Sequence, residues 1–260
     1  MAKEIPLYEI PKNIEIARIL DDSALEKYIG YVKSKYNSEK ARSTLLRFNS
    51  SNNELTGSNP FMLVCLQNSG LLSVNSRIAT RQDLEKAIHY NKGNPFSENY
   101  VDFGLALRTN KDTHTSNDLL AKVLAEELKQ RWIKLGKLIP ISALNLKENS
   151  NSAYGLVFSL KEDVKELEDL NNFKWNYKRD NGIARAYFYG DGYWISNVEK
   201  LADSNGNGRV VVISGEATQK NFIDFVNRYY SNKQKEFNEK VESAKGILDS
   251  ASEKAKNLFS

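Results

Sequence analysis

Cysteine is all but missing, with Cys65 the only one in 260 residues. A lone thiol forms no intrachain disulfide and cannot supply a cysteine zinc site, and its place in the apolar run Phe61 to Leu66 marks it as buried and inert. Histidine is nearly as scarce, being limited to His89 and His114. Neither stands in a nucleophile–base motif, so both read as exposed polar residues rather than members of a catalytic dyad or triad. The chain also lacks a Walker-type loop, a dinucleotide fingerprint and an HExxH helix, which leaves the common phosphate, nicotinamide and zinc-peptidase chemistries without a signature. No apolar run approaches bilayer-spanning length, the longest being Phe61 to Leu66. The opening MAKEIPLYEIPKN has no apolar stretch behind its lysine and does not read as a secretory signal. The expectation is a cytoplasmic protein by default, without membrane insertion, with surface display through another chain left open. Lys and Arg number 37 against 33 Asp and Glu, a net charge of +4, but no basic block occurs. Interspersed charges of this kind read as solvated faces, and nucleic acid is not the favoured partner.

What the chain does have is a globular balance, 40% hydrophobic and 27% charged. Apolar spacing behind Ser23 predicts a helix over ALEKYIGYVKSKY, and Thr80 with Asp83 forms a capping box for a helix over TRQDLEKAIHY. ARSTLLRF reads as a strand, SSNNELTGSNP as a turn-rich loop, and PFMLVCLQ with LLSVNSRIA as a hairpin about Asn68-Ser69-Gly70. VDFGLALRT reads as a strand containing Gly104. Ser116 is expected to cap a long helix with the stripe Leu120, Val123, Leu124 and Leu128, ending at Gly136. LIPISALNL, AYGLVFSL, IARAYFY and RVVVIS follow as strands, VKELEDLNNF as a short helix, and residues 218–260 as helix throughout. The fold class is α+β. Three regions are expected: a mixed N-terminal α/β segment over 1–95, a binding domain over 96–216 and a helical extension over 217–260, divided first at the Asn-, Gly- and Pro-containing loop 91–99.

Tyr187 to Gly208, YFYGDGYWISNVEKLADSNGNG, collects Tyr, Asp, Asn, Ser and Gly between two strand-like flanks. Tyr supplies rigid amphipathic area and Asn, Ser and Gly supply adaptable hydrogen bonding, a composition suited to recognition. Asp203 to Gly208 matches the opening D-x-N-x-N-G of a calcium loop. Ser214 replaces the twelfth-position Glu, however, and Val210 to Ile213 reads as a strand, so a Gly-rich turn is the better account; no metal or cofactor is assigned. Asp102, Asp180, Asp191 and Asp203 lie near strand ends without a spacing that separates an acid from a base. Tyr187, Phe188, Tyr189, Tyr193 and Trp194 could stack single-stranded bases, but only Lys174, Lys178, Arg179 and Arg185 lie nearby to hold a phosphate backbone.

The order GIARAYFY, W-I-S, LADS and then GRVVVISGEA resembles the variable region of target proteins of diversity-generating retroelements, particularly the archaeal kind. The resemblance covers about Gly182 to Ala217. It implies a C-type-lectin-like fold holding a diversified, non-catalytic surface that binds an unknown protein or other macromolecular ligand. In that family template adenines are substituted, so that AAC codons never yield Lys, Glu, Gln, Met or Trp. Between Tyr187 and Gly208 only Trp194, Glu199 and Lys200 depart from that rule. The expected contact residues are Tyr189, Asp191, Tyr193, Ile195, Asn197, Val198, Asn205 and Asn207. Ile183, Ala184, Ala186, Trp194, Leu201, Val210 and Val212 are the expected frame. The implied order is VDFGLALR as first strand, LLAKVLAEELKQ as first helix, VKELEDL as second, and RVVVIS closing against the first strand. A homo-oligomer through the C-terminal helix is a further expectation, and a nucleic-acid-binding accessory protein of a mobile element is the alternative.

Overall fold

A computed structural model describes residues 13–17, 22–51, 54–72, 76–90, 99–172, 182–189, 193–196, 200–214 and 237–247. The elements run β1 (Asn13–Ala17), α1 (Asp22–Lys35), α2 (Glu39–Leu45), β2 (Asn49–Ser51), β3 (Glu54–Thr56), α3 (Pro60–Asn68), β4 (Ser76–Ile78), α4 (Arg81–Tyr90) and β5 (Tyr100–Leu107). They continue with α5 (Asp118–Gln130), β6 (Lys137–Pro140), β7 (Leu144–Glu148), β8 (Leu156–Leu160), β9 (Glu168–Asp169), β10 (Ile183–Tyr189), β11 (Tyr193–Ile195) and β12 (Gly208–Ser214). A further helix occupies residues 237–247. The class is mixed α+β.

Eight strands form one sheet, with the path β1-β12-β5-β10-β11 and the shorter β4, β6 and β9 attached at its sides. β5 is its centre and every residue of it is buried. One edge of β5 pairs antiparallel with β10. Its other edge is shared, first by β12, parallel through Gly208↔Tyr100 and Arg209↔Val101, then by antiparallel β6. Here Gly104 faces Pro140, and a Cβ at Gly104 would stand 2.5 Å from the Ile139 carbonyl oxygen, so the close approach of the strands admits no side chain. β12 then leaves β5 and is flanked by β1 and β4, both antiparallel.

One hydrophobic core joins Tyr28, Val32 and Leu45 to Phe61–Leu66, and both groups to Leu105, Leu124, Leu128, Phe158, Ile183 and Val212. The boundary expected near residue 95 therefore does not separate two cores. Residues before it supply α1, α2 and α3 to the core and β1 and β4 to the sheet. Cys65 is buried within this core, and burial pushes its thiol up to about 11, with the Tyr28 and Tyr36 hydroxyls working the other way.

Helices α1, α4 and α5 and strands β5, β10 and β12 arise where the sequence pattern places them. Four readings are corrected. ARSTLLRF falls mostly in a helix, α2, opened by Ser38, whose Oγ accepts from Ala41 N at 3.3 Å. PFMLVCLQ is helix α3, with Pro60 in the first turn and Asn59 Oδ1 accepting from Met62 N at 2.9 Å. Pro60 to Leu66 are all buried, and a segment apolar on every side carries no periodicity to separate helix from strand. Within SSNNELTGSNP, β2 and β3 pair as a hairpin. In VKELEDLNNF residues 164–167 have no regular structure, followed by the two-residue β9 and a 3₁₀ turn over Leu170–Asn172, while Phe173 lies outside the described residues. The cap of α5 is also one residue later than expected: Asn117 holds that position, with its Oδ1 accepting from Tyr154 Oη at 2.7 Å. Of residues 218–260 only 237–247 are described; there Val241 is partly buried and all other residues, Phe237 included, are exposed.

The capping box of α4 forms as expected. Thr80 N and Oγ1 donate to Asp83 Oδ2 at 2.8 and 2.7 Å, Asp83 N donates back to Thr80 Oγ1 at 3.4 Å, and Arg77 Nη2 donates to Asp83 Oδ1 at 2.9 Å. Burial works to raise the Asp83 pKa, but the hydrogen bonds from Arg77 and Thr80 outweigh it and hold the carboxyl below its ordinary value. A carboxylate depressed in the folded state stabilises above its unfolded pKa, about 3.9, and that contribution disappears as pH falls through the folded value. Asp83→Asn should thus cost about 1 kcal/mol at neutral pH, the usual size of a lost cap. Urea titrations at a series of pH values should show the difference from wild type shrinking below about pH 4.

Candidate functional site

Side chains alternate along β10, so Ile183, Arg185, Tyr187 and Tyr189 fall on one face. Ile183 sits in the core and the tyrosines are half-buried, which makes this face a path from interior to surface. The register with β5 shifts on the way, Ala186 opposing Gly104 and Tyr187 opposing Asp102. Phe103 is the extra residue of this bulge, a device that re-aims neighbouring side chains.

Beside it lies a buried ion pair. Arg185 Nε donates to Asp102 Oδ1 at 2.8 Å and Nη2 to Oδ2 at 2.6 Å, with the two side chains 5% and 0% exposed. Nη2 also donates to the Ser58 carbonyl at 2.9 Å, Nη1 to the Asp203 carbonyl at 2.7 Å, and Ser58 Oγ to Asp102 Oδ2 at 2.6 Å. Bidentate geometry with further satisfied donors is what a charge needs away from water. Burial works against the guanidinium charge and the Asp102 carboxylate more than offsets it, leaving Arg185 above the ordinary arginine pKa. Asp102 is engaged as a counter-ion, which is not the setting of a general base that must take and release a proton.

Over this pair opens a cleft of about 480 Å³ lined by Tyr100, Arg185, Tyr187, Tyr189 and the turn residues Asp203, Ser204 and Asn205. The Arg185 Cζ stands 5.1 Å from the Tyr100 ring centre and 5.7 Å from that of Tyr187, and the two rings meet edge to face at 5.9 Å. Tyr100 is fixed at its tip, Oη donating to the Ser58 carbonyl at 3.1 Å and accepting from Asn205 N at 3.3 Å. Burial raises the Tyr187 hydroxyl pKa, with Arg185 opposing. Gly208 lets the turn approach, since a Cβ there would stand 2.5 Å from Ser58 N and 2.7 Å from Tyr100 Oη. The resulting lining is aromatic and polar, with one half-exposed carboxylate at Asp203, over an arginine whose charge is already balanced.

The turn itself is closed by internal bonds. Gly208 N donates to the Asn205 carbonyl at 3.0 Å, Asn207 N to Asn205 Oδ1 at 3.0 Å, and Tyr100 N to the Asn207 carbonyl at 3.0 Å. The Asp203 carboxylate lies 3.6 Å from Arg47, both about half exposed. Of these acceptors, Asn205 Oδ1 and the Asp203 carboxylate are ones that a calcium loop would turn inward. Among the described residues no three His, Cys, Asp or Glu side chains gather as metal ligands.

Of the expected contact residues, Tyr189 and Asn205 line the cleft, and Asn207 is exposed on the same turn. Tyr193 pairs with Tyr189, and the partly buried Ile195 with Tyr187, across β10 and β11. Asp191, Asn197 and Val198 lie outside the described residues. The expected frame is buried at Ile183, Ala184, Ala186, Leu201, Val210 and Val212, while Trp194 packs on Phe103 and Phe188 with ring centres 5.4 and 4.8 Å away. Sequence reasoning missed Tyr100, Ser204 and the tethered Arg185, and it treated Tyr187 only as part of an aromatic platform. The alternation Arg185-Tyr187-Tyr189 was the signal for the β10 members; Tyr100 and Ser58 come from distant segments and have no local one. Arg185 is also withdrawn from the group that could hold nucleic acid, because it is buried and paired, while Lys174, Lys178 and Arg179 lie outside the described residues. His114 is exposed in the loop before α5, where its N–H donates to Asp112 Oδ1 at 2.8 Å. Comparison with known proteins returns no family model, no curated protein and no solved structure that matches this chain.

Proposed function

We propose that this chain is a non-catalytic ligand-binding protein of C-type-lectin-like architecture whose exchangeable surface serves as the variable protein of a diversity-generating retroelement does. The observation that carries the binding reading is the cleft over Arg185, whose aromatic and polar lining rests on a frame fixed from beneath. Preorganised support of this kind lets exposed positions vary without reorganising the strands. The order β5, α5 and then β12 beside β5 supports the lectin-like part, although the segment VKELEDL expected as the second helix is not helical and β12 meets β5 in parallel. The ligand is a protein or another macromolecule. In the same reading the helix over 237–247, with Phe237 and Ile247 exposed, is where a second copy associates.

Two measurements test this. Replacing Tyr189, Asn205 and Asn207 together with Ala should shift unfolding by no more than about 2 kcal/mol, since Tyr189 is only half-buried and the side-chain bond lost is the one from Asn207 N to Asn205 Oδ1. A loss of several kcal/mol would make them structural and end the reading. Sequencing of the DNA around the gene should reveal a near-copy of the codons for Tyr187 to Gly208 beside a reverse-transcriptase gene, differing mainly at template adenines. Absence of that copy removes the retroelement assignment and leaves the cleft.

A further inference from the structure

An asparagine followed by glycine is prone to lose its side-chain amide, because glycine has no Cβ to keep its own nitrogen from the asparagine Cγ. The chain has three such pairs, Asn181-Gly182, Asn205-Gly206 and Asn207-Gly208. The fold treats their glycine nitrogens differently. Gly182 N donates to Thr109 Oγ1 at 2.6 Å, and Gly208 N to the Asn205 carbonyl at 3.0 Å. Gly208 is also buried, where a Cβ would stand 2.5 Å from Ser58 N. Each of these two nitrogens must give up a hydrogen bond before it can attack. Gly206 is exposed, and its N–H has no acceptor among the described residues.

The bonds around Asn205 fall on the two carbonyls that such an attack would charge. Asn207 N donates to Asn205 Oδ1 at 3.0 Å, which folds the side chain back across the Gly206 peptide as an Asx turn. A tetrahedral adduct at Cγ carries its negative charge on that oxygen, within the reach of an oxyanion-hole donor. Gly208 N holds the Asn205 backbone carbonyl, which belongs to the same peptide group as Gly206 N. A donor on that oxygen favours the anion formed when the nitrogen loses its proton. The turn is braced from both sides, by Asn205 N donating to Tyr100 Oη at 3.3 Å and by Arg209 Nη1 donating to the Gly206 carbonyl at 2.7 Å.

We propose that Asn205 is a self-modification site, at which Gly206 N displaces the side-chain amide to form a succinimide that opens to aspartate or isoaspartate. Gly206 N loses its proton and bonds to Cγ, the Cγ–Nδ2 bond breaks, and the nitrogen leaves as ammonia. Water then adds to either ring carbonyl and the ring C–N bond opens. One water is taken up and one ammonia released, with no oxidation or reduction. The product places a second carboxylate in a cleft whose lining has one, at Asp203. Opening to isoaspartate also lengthens the backbone by one carbon just before Gly208 meets Tyr100 of β5. The cleft changes charge with the age of the molecule, whether or not it binds a ligand.

The test holds the full chain at mildly alkaline pH, folded in buffer or unfolded in guanidinium chloride. Digestion after Lys200 and Arg209 then releases residues 201–209 with both asparagines. Mass spectrometry with fragmentation locates the change from amide to acid, and separation of the isomers identifies isoaspartate. In the folded chain conversion at Asn205 should exceed that at Asn207 by about tenfold, the factor equivalent to one backbone hydrogen bond at Gly208 N. Unfolding should bring the two sites together. The rate at Asn205 should climb about tenfold per pH unit, since the attacking N–H is almost wholly protonated near neutrality. Gly206→Ala, whose methyl crowds the attack, should slow it several-fold. Equal conversion at the two sites in the folded chain, no conversion at Asn205, an unchanged rate in Gly206→Ala, or a preference for Asn205 that survives unfolding would overturn the proposal.

Discussion

Arg185→Ala lowers the free energy of unfolding by about 3–5 kcal/mol, because it leaves the Asp102 carboxylate in the protein interior without its counter-ion. The Asp203 carbonyl loses its Arg185 donor in the same step, and the Ser58 carbonyl is left with that of Tyr100 Oη. Asp102→Ala should cost a similar amount, by stranding a guanidinium whose side chain is only 5% exposed. The double variant should cost clearly less than the two singles together, since each single removes one charge and exposes the other to the same penalty. Arg185→Met with Asp102→Leu should come closer still to wild type, as buried ion pairs are often matched by apolar groups of like volume. Denaturant unfolding of the four variants and wild type measures all of this, and an additive cycle would show the pair to be uncoupled. Were the pair uncoupled, the support beneath Tyr100 and Tyr187 would have to come from elsewhere.

The second large effect is expected at Phe61. Phe61→Ala should cost about 3–5 kcal/mol, the range for deleting a fully buried aromatic ring. Its ring stacks on Phe158 with centres 4.4 Å apart and meets Tyr154 at 5.0 Å, which joins α3 to the β7–β8 hairpin and to the loop before β8. Phe61→Leu, which leaves a smaller void, should cost distinctly less. Thermal or denaturant unfolding measures the difference. Equal losses for the two variants would mean that the aromatic contacts, rather than the volume, set the energy there.

Phe61 also shows where sequence reasoning stops. A helix with one wet face announces itself, as α1, α4 and α5 do, because its apolar residues recur at helical spacing. α3 has no wet face over Pro60 to Leu66, so its letters fit a buried strand equally well. Its real markers were Asn59 and Pro60, a capping side chain followed by the residue that best tolerates a missing N–H. Ser38 marked α2 in the same way.

The site divides along a similar line. β10 and β12 were legible as frame, and Tyr189, Asn205 and Asn207 as surface, because strand alternation and turn composition are local properties. Arg185 and Asp102 were both visible as charges, one as a partner for phosphate and the other as a candidate acid. That they cancel one another depends on a contact across 83 residues and on a bulge at Phe103. No local pattern encodes either.

The place of β12 between β1 and β4 has a bearing on how the chain reaches this state. Asn13 is matched with Ser214, so β1 emerges from the ribosome long before the strand it must join. At about 5–20 residues per second the wait is on the order of ten to forty seconds. During it β1 and β4 lack their partner, and the sheet cannot close until its last strand arrives. Closing so large a loop makes slow folding the expectation, and the interval is when a holding chaperone, or misassembly with a neighbouring nascent chain, would compete for the first strand.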